Sequence, residues 1–118
     1  MKAIGVIPVR YGSVRFPGKP LAPIHGKPMI QWVFEGARQS SLLDRVVIAT
    51  DDERIMAAAV SFGAEAKMTF SAHASGTDRA AEVAAQTDAE IILNIQGDEP
   101  LVRGSMLDAL VEALRAGE

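Results

Sequence analysis

Residues 9–21 read Val9-Arg10-Tyr11-Gly12-Ser13-Val14-Arg15-Phe16-Pro17-Gly18-Lys19-Pro20-Leu21 and follow the apolar run Ala3-Ile4-Gly5-Val6-Ile7, which is typical of a buried strand. The segment contains three basic residues, two glycines, two prolines and no acidic residue. Glycine lets backbone amides approach a ligand closely, and proline limits the movement of a loop. Because open α/β sheets bind ligands beyond the ends of their strands, this basic loop predicts an anion-binding site.

The charge of the chain is divided unevenly along its length. No Asp or Glu precedes Glu35, so the first 34 residues carry a local charge of +5, whereas the whole chain carries −3. Basic side chains that lie within about one Debye length, roughly 8 Å at physiological salt, repel one another. A polyanionic ligand would offset this repulsion; the alternative is a solvated basic loop without a ligand.

Two common phosphate-binding motifs are excluded by their spacing. Five residues separate Gly12 from Gly18 where a Walker A loop has four, and Pro20 follows Lys19 where that loop has Ser or Thr. The Gly-x-Gly-x-x-Gly fingerprint of dinucleotide-binding folds is also absent after the first strand. The basic loop therefore belongs to neither of these classes of site.

Length and composition predict one domain over residues 1–118. With 48% hydrophobic and 23% charged residues, a chain of 118 residues can bury about two thirds of its unfolded surface. The absence of cysteine excludes disulfides and thiolate chemistry. The N-terminal apolar run, broken by Pro8, is too short for a signal peptide, and no later stretch is long enough to span a membrane. We therefore expect a cytoplasmic protein, and a pI of about 5.4 argues against general nucleic-acid binding.

The apolar pattern alternates between strands and helices along the rest of the chain. After a turn over residues 22–27, helices are predicted from Pro28 to about Ser40, over 52–62 after an N-cap at Asp51, from Thr77 or Asp78, and over 105–115. Strands are predicted over 45–50, 65–69 and 90–96. This order predicts an α/β fold in which helices flank a mainly parallel sheet.

The same pattern predicts which side chains are buried. The last strand, apolar at nearly every position, should be covered on both faces. The third helix should bury Ala80, Ala81, Val83 and Ala84. The fourth helix should carry its apolar face through Met106, Leu107, Leu110, Val111 and Leu114.

Unusual polar residues occur where the predicted strands end. Beyond the basic loop, these are Thr50-Asp51-Asp52, His73-Ala74-Ser75-Gly76-Thr77-Asp78-Arg79 and Gln96-Gly97-Asp98-Glu99. Cations near a carboxylate indicate a polyphosphate with Mg²⁺, which is commonly held by one or two carboxylates and phosphate oxygens. We interpret Asp98 as the metal ligand because it has no helix to cap, whereas Asp51 and Asp52 suit the start of a helix.

Four segments resemble the motifs of the 3-deoxy-manno-octulosonate (Kdo) cytidylyltransferases, the CMP-Kdo synthetases of lipopolysaccharide biosynthesis. They are residues 7–21, 49–52, 73–79 and 94–101, which follow one another in the order of the family over nearly the whole chain. The resemblance implies a three-layer, nucleotide-diphospho-sugar transferase-like (Rossmann-like) fold. It also implies that the chain is truncated to the N-terminal, CTP-binding portion, since members of this family are about twice as long.

The resemblance further implies roles for individual residues. The CTP phosphates would contact Arg10, Gly12, Ser13, Arg15 and Lys19. The cytidine would lie among Pro8, Arg10, Ser75, Gly76, Thr77 and Arg79. Gln96 would contact the sugar and Asp98 would hold Mg²⁺, and Arg15, Lys19 and Asp98 would assist catalysis by positioning and charge neutralisation.

The implied reaction is the transfer of CMP from CTP to Kdo with release of pyrophosphate, by an enzyme that is a homodimer in its full-length form. Two alternatives stay open at this stage. The chain could be a nucleotide-binding module or inactive fragment that binds CTP without turnover. It could also be a flavodoxin-like signalling domain that uses Asp51 and Asp52, although this interpretation leaves the basic loop unexplained.

Overall fold

The computed structural model describes residues 2–11, 19–69, 76–97 and 101–116, with only the backbone at 76 and 77. Strands and helices alternate as predicted. In chain order they are β1 (Ala3–Val9), a 3-10 helix (Lys19–Leu21), β2 (Pro23–Ile24), β3 (Lys27–Pro28), α1 (Met29–Arg38), β4 (Arg45–Thr50), α2 (Glu53–Ser61), β5 (Glu65–Met68), α3 (Gly76–Ala84), β6 (Ile91–Asn94) and α4 (Gly104–Ala116).

The four long strands form one parallel sheet in the order β5-β4-β1-β6. Gly5 of β1 lies opposite Val46 of β4 on one side and Leu93 of β6 on the other. The chain proceeds from β1 outward through β4 to β5 and then returns to the far side of β1 as β6. This reversal of direction places the topological switch point, where open α/β sheets bind ligands, between β1 and β6.

Helices cover both faces of the sheet because β1 is apolar on both sides. Ala3, Ile7 and Val9 pack into the same buried cluster as residues of α1, α2 and α4. Ile4 and Val6, which point to the opposite face, pack with residues of α3. The three layers predicted from the sequence are confirmed, with the core divided by the sheet.

A small hairpin of β2 and β3 replaces the turn predicted over residues 22–27. His25 and Gly26 have φ values of 49° and 83°, as the two central residues of a type I′ turn require. The indole Nε1 of Trp32 donates a hydrogen bond to the carbonyl of Ile24 at 2.7 Å. The Lys27 Nζ lies 2.8 Å from a carboxylate oxygen of Glu35. The hairpin is thus tied to α1, which begins at Met29, one residue later than predicted, with Pro28 as its N-cap.

The prediction that Asp51 caps the second helix is wrong by one residue. Asp52 is the N-cap of α2, and its Oδ1 accepts hydrogen bonds from the backbone N of Arg54 at 2.8 Å and of Ile55 at 3.3 Å. Two adjacent aspartates both suit this position by residue type. The extended backbone of Asp52 directs its side chain toward the first turn, and Asp51 is left to make a different contact.

Two predictions about burial are also corrected. Within the described residues β6 is an edge strand, and its Ile92 is half-buried while Asn94 is exposed, so this strand is not covered on both faces. On α3, Ala81 is exposed because the helix turns Ala80 and Val83 toward the sheet.

The fourth helix buries only part of its predicted apolar face. Leu107 and Val111 are buried against the sheet. Met106, Leu110 and Leu114 lie on another side of the helix and are 56%, 53% and 50% exposed. Across the described part of the chain, no helix combines the length and the apolar character that a membrane crossing requires.

Candidate functional site

The carboxyl ends of β1 and β6 meet at the switch point. The backbone N of Ile95 donates to the carbonyl of Val6 at 2.8 Å, which extends the pairing beyond the end of β6. Two residues further on, a Cβ atom at Gly97 would lie 3.1 Å from the Pro8 carbonyl oxygen and 3.4 Å from Val9. The chain after β6 can pass this close to β1 because residue 97 is glycine.

Two polar side chains with predicted roles are exposed where these strands end, since Arg10 follows β1 and Gln96 follows β6. Lys19, also exposed, begins the 3-10 helix with which the described chain resumes after residues 12–18. Pro8, also predicted to line the site, is half-buried in β1. Gly12, Ser13 and Arg15 of the basic loop lie outside the described residues.

The start of the basic loop is fixed by a contact that the sequence did not reveal. The guanidinium carbon of Arg54 lies 3.2 Å from the centre of the Tyr11 ring. The same guanidinium donates to both carboxylate oxygens of Asp52, at 3.1 and 2.7 Å, and this interaction lowers the pKa of Asp52. Tyr11 is therefore held against the first turn of α2, so the chain leaves β1 from a defined point.

Arg79, predicted to lie beside the nucleotide, is only 1% exposed. Its Nη1 donates a hydrogen bond to the hydroxyl of Thr69, and its Nη2 lies 3.8 Å from Oδ2 of Asp51. Thr69 is in turn joined to the end of β4, because its backbone N donates to the carbonyl of Thr50 at 2.9 Å. The guanidinium thus links the first turn of α3 to the chain just beyond β4 and β5.

These contacts engage both carboxylates that follow β4. Asp52 caps α2 and binds Arg54, while Asp51 faces Arg79. Neither arrangement favours the signalling-domain alternative, which needs this pair to be available for chemistry. Residue types alone do not reveal Thr69 as a partner of Arg79 or Arg54 as a partner of Tyr11, since both contacts depend on how α2 and α3 pack.

The described segments provide no group of three or more His, Asp or Glu side chains that could hold a metal ion. Asp98, the predicted ligand of Mg²⁺, lies between those segments, as does Ser75. Gly76 and Thr77 form the backbone of the first turn of α3. The predicted metal site and the predicted roles of these residues stay predictions.

The comparisons with known proteins agree with this geometry. The family model described as cytidylyltransferase matches residues 4–118. A relative named 3-deoxy-manno-octulosonate cytidylyltransferase, from Syntrophobacter fumaroxidans, is 56% identical over 118 residues, which is 98% of this chain and 47% of the relative. The chain therefore spans about half the length of such relatives.

Solved structures show the same fold. CMP:2-keto-3-deoxy-manno-octonic acid synthetase complexed with CTP superposes with a TM-score of 0.96 at 49% identity, over 98% of this chain and 48% of the synthetase. A protein of Mycobacterium tuberculosis H37Rv, solved as a complex with manganese, superposes with a TM-score of 0.72 at 19% identity, over 98% of this chain and 61% of that protein. The second likeness is evidence of fold alone, and the first confirms the predicted fold class.

Proposed function

The chain belongs to the cytidylyltransferase family, and we propose that it is the CTP-binding portion of an enzyme that transfers CMP from CTP to Kdo. The observation that carries this proposal is the superposition on the CTP-bound synthetase, which covers nearly the whole chain. The relative from S. fumaroxidans bears the name of this activity. Exposed Arg10 and Gln96 at adjoining strand ends are consistent with a site between β1 and β6.

In the proposed complex the CTP phosphates contact Arg10, Lys19 and, within the basic loop, Gly12, Ser13 and Arg15. The cytidine lies between Pro8 and the start of α3, where Ser75, Gly76, Thr77 and Arg79 surround it. Gln96 faces the incoming sugar. This arrangement places positive charge on the phosphates and a small pocket around the base, which favours a pyrimidine over a purine.

The proposed step is an in-line displacement at the α-phosphorus. A hydroxyl oxygen of Kdo forms a bond to that phosphorus, the bond to the bridging oxygen of the β-phosphate breaks, and pyrophosphate leaves while the hydroxyl proton passes to water. Arg15 and Lys19 neutralise the charge on the phosphates and hold them in line. No covalent intermediate with the protein is needed.

We place Mg²⁺ at Asp98. When bound there, the ion would neutralise phosphate charge and fix the geometry of the phosphates. Among the carboxylates described near this edge of the sheet, Asp51 and Asp52 face arginines, so neither competes as a ligand.

The setting of the reaction is part of the same proposal. Residues 1–118 form the CTP-binding portion of a cytidylyltransferase domain, and the longer enzyme acts as a homodimer in the cytoplasm, in lipopolysaccharide biosynthesis. The family resemblance supports these statements, and Kdo and CTP are the small-molecule partners they imply.

Calorimetric titration of the chain with CTP, with and without Mg²⁺ and with ATP as a control, tests the proposal. We expect selective CTP binding that Mg²⁺ strengthens. Asp98→Asn should abolish the effect of Mg²⁺, because the substitution removes the anionic ligand. Asp88→Asn is the matched control, since Asp88 is exposed and pairs with Lys2 at the start of β1, the opposite end of that strand. A Mg²⁺ effect that survives in Asp98→Asn would contradict the metal assignment.

A pyrophosphate-release assay with Kdo then separates the proposed enzyme from its alternative. Release by the chain shows that this portion suffices for turnover. CTP binding without release favours the nucleotide-binding module, which is consistent with a chain spanning about half the length of its relatives. Absence of CTP binding by the unsubstituted chain would contradict both.

A further inference from the structure

The buried guanidinium of Arg79 occupies an unusual place for a residue expected to contact a ligand. Burial of a cation is costly unless acceptors surround it, and this side chain is only 1% exposed. Two of its partners come from different segments. The Thr69 hydroxyl, which accepts a hydrogen bond, lies after β5, and the Asp51 carboxylate, which forms an ion pair at 3.8 Å, lies after β4. Arg79 therefore joins three parts of the fold at one edge of the sheet.

This junction lies directly beside the proposed nucleotide site. Thr50 of β4 lies opposite Val9 of β1. Asp51 and Arg10 are therefore the residues that directly follow two neighbouring strands. Arg79 itself belongs to the first turn of α3, two residues after Thr77. The backbone N–H groups of a first helical turn have no acceptor within the helix, so their direction toward a ligand follows the placement of the helix. The position of those groups relative to Arg10 depends on what holds Arg79.

We propose that Asp51 and Thr69 are positioning residues for the cytidine subsite, and that they act through Arg79. They hold the first turn of α3 at the distance from β1 that the base requires. This inference rests on the proposed CTP site and adds two residues to it.

The sign of the change in CTP affinity distinguishes a positioning role of Asp51 from a purely electrostatic one. CTP is a polyanion, so removal of any nearby carboxylate should strengthen its binding by Coulomb attraction alone. A positioning role predicts the opposite sign, since Asp51→Asn removes one of the contacts that hold Arg79 and lets α3 shift. Glu53→Gln is the matched control, because it removes the same charge two residues away, from an exposed side chain in the first turn of α2.

The experiment measures binding of two probes, CTP and inorganic tripolyphosphate, by calorimetry. We expect Asp51→Asn to raise the CTP dissociation constant about tenfold, the order of loss that misplacement of a binding group produces. Binding of tripolyphosphate, which contacts the basic loop and no base subsite, should not weaken. Glu53→Gln should leave CTP binding unchanged or slightly stronger.

Thr69 provides an independent pair of variants. Thr69→Val keeps the shape of the buried side chain and removes the acceptor of the Arg79 hydrogen bond, whereas Thr69→Ser keeps the hydroxyl. We expect Thr69→Val to weaken CTP binding several-fold and Thr69→Ser to resemble the unsubstituted chain. Thermal unfolding of each variant, followed by circular dichroism, confirms that the titrations are made on folded protein.

Four outcomes would overturn the proposal. One is CTP binding by Asp51→Asn that is unchanged or tighter, and another is an equal loss in Glu53→Gln. The third is an equal loss of tripolyphosphate binding, which indicates general damage to the fold, and the fourth is equal effects of Thr69→Val and Thr69→Ser. Failure of the unsubstituted chain to bind CTP would instead contradict the proposed function itself, and with it this inference.

Discussion

Asp108 shows how one side chain can organise a segment distant in sequence. Its carboxylate accepts hydrogen bonds from the hydroxyls of Ser40 and Ser41, at 2.5 and 2.9 Å, and from the backbone N of Ser41 and Leu42, at 3.2 and 3.0 Å. These donors, led by the Ser40 hydroxyl, lower the pKa of Asp108 to about 2. The charged carboxylate thus holds the loop between α1 and β4 against α4.

We expect the contribution of Asp108 to stability to depend on pH. Because its pKa is lower in the folded chain than the usual 3.8, the stabilisation is complete above about pH 4 and is lost as the pH falls through about 2. Asp108→Ala should therefore lower the melting temperature at pH 6, and the difference from the unsubstituted chain should shrink toward pH 2. Circular dichroism over this pH range measures it.

The control for this prediction is Glu112→Ala, which removes a carboxylate from an exposed position on the same helix. Its melting temperature should stay close to that of the unsubstituted chain at pH 6. A gap between Asp108→Ala and the unsubstituted chain that stays constant from pH 6 to pH 2 would contradict the assigned role of the charge.

Among the elements, α1 and α4 approach unusually closely at two glycines. A Cβ atom at Gly36 of α1 would overlap the carbonyl oxygen of Val102, and one at Gly104 of α4 would overlap backbone atoms of Gln39 and Ser40. Backbone cannot move aside as the end of a flexible side chain can. The two helices therefore hold the segment that leads into α4 at a fixed place beside α1.

Alanine at either glycine tests this close packing. Helix propensity alone favours Gly36→Ala by about 1 kcal/mol, but overpacking costs about 1–3 kcal/mol, and here the overlap is with backbone. We expect the cost of overpacking to exceed the gain in helix propensity. Gly36→Ala and Gly104→Ala should therefore both lower the free energy of unfolding in urea titrations. Ser105→Ala, at an exposed neighbour on α4, should be neutral or slightly stabilising. Stabilisation by Gly36→Ala would show that the helices can separate without cost.

The strands and helices could be predicted because their signals are local. The β-branched run Arg45–Thr50 is a strand at the predicted bounds, and α1 begins directly after Pro28. The N-cap of α2 could not be assigned to the correct aspartate, since Asp51 and Asp52 are the same residue type and only the folded backbone shows which of them faces the first turn of the helix. The exposure of Ala81 likewise follows from how α3 lies on the sheet, which spacing does not determine.

For the molecule as a whole, the location of the candidate site could be predicted to the extent that it follows from strand order. Parallel strands end at one edge, so the alternation of strands and helices in the sequence is enough to assign Arg10 and Gln96 to one region. The partners of Arg79 could not be predicted, because Thr69 and Asp51 meet it only after α3 packs across the sheet. A charged residue in a polar motif suggests contact with a ligand, whereas its burial depends on tertiary structure.

Periodicity also fails to show whether an apolar helix face is covered. Met106, Leu110 and Leu114 recur every four residues on α4 and are all at least half exposed, although the same pattern buries Leu107 and Val111. Single exposed apolar residues are ordinary, but an aligned row of three forms a continuous surface. We expect this surface to drive association between copies of the 118-residue chain as its concentration rises.

Sedimentation velocity over a range of concentrations measures that association. Leu110→Lys, which places a charge at the centre of the row, should shift the chain toward monomer, because burying an unpaired charge in the contact is unfavourable. Val60→Lys is the matched control, since Val60 is 66% exposed on α2, away from the row, and its replacement should leave association unchanged. A sedimentation coefficient of the unsubstituted chain that does not vary with concentration, or equal effects of the two lysines, would contradict the role of α4.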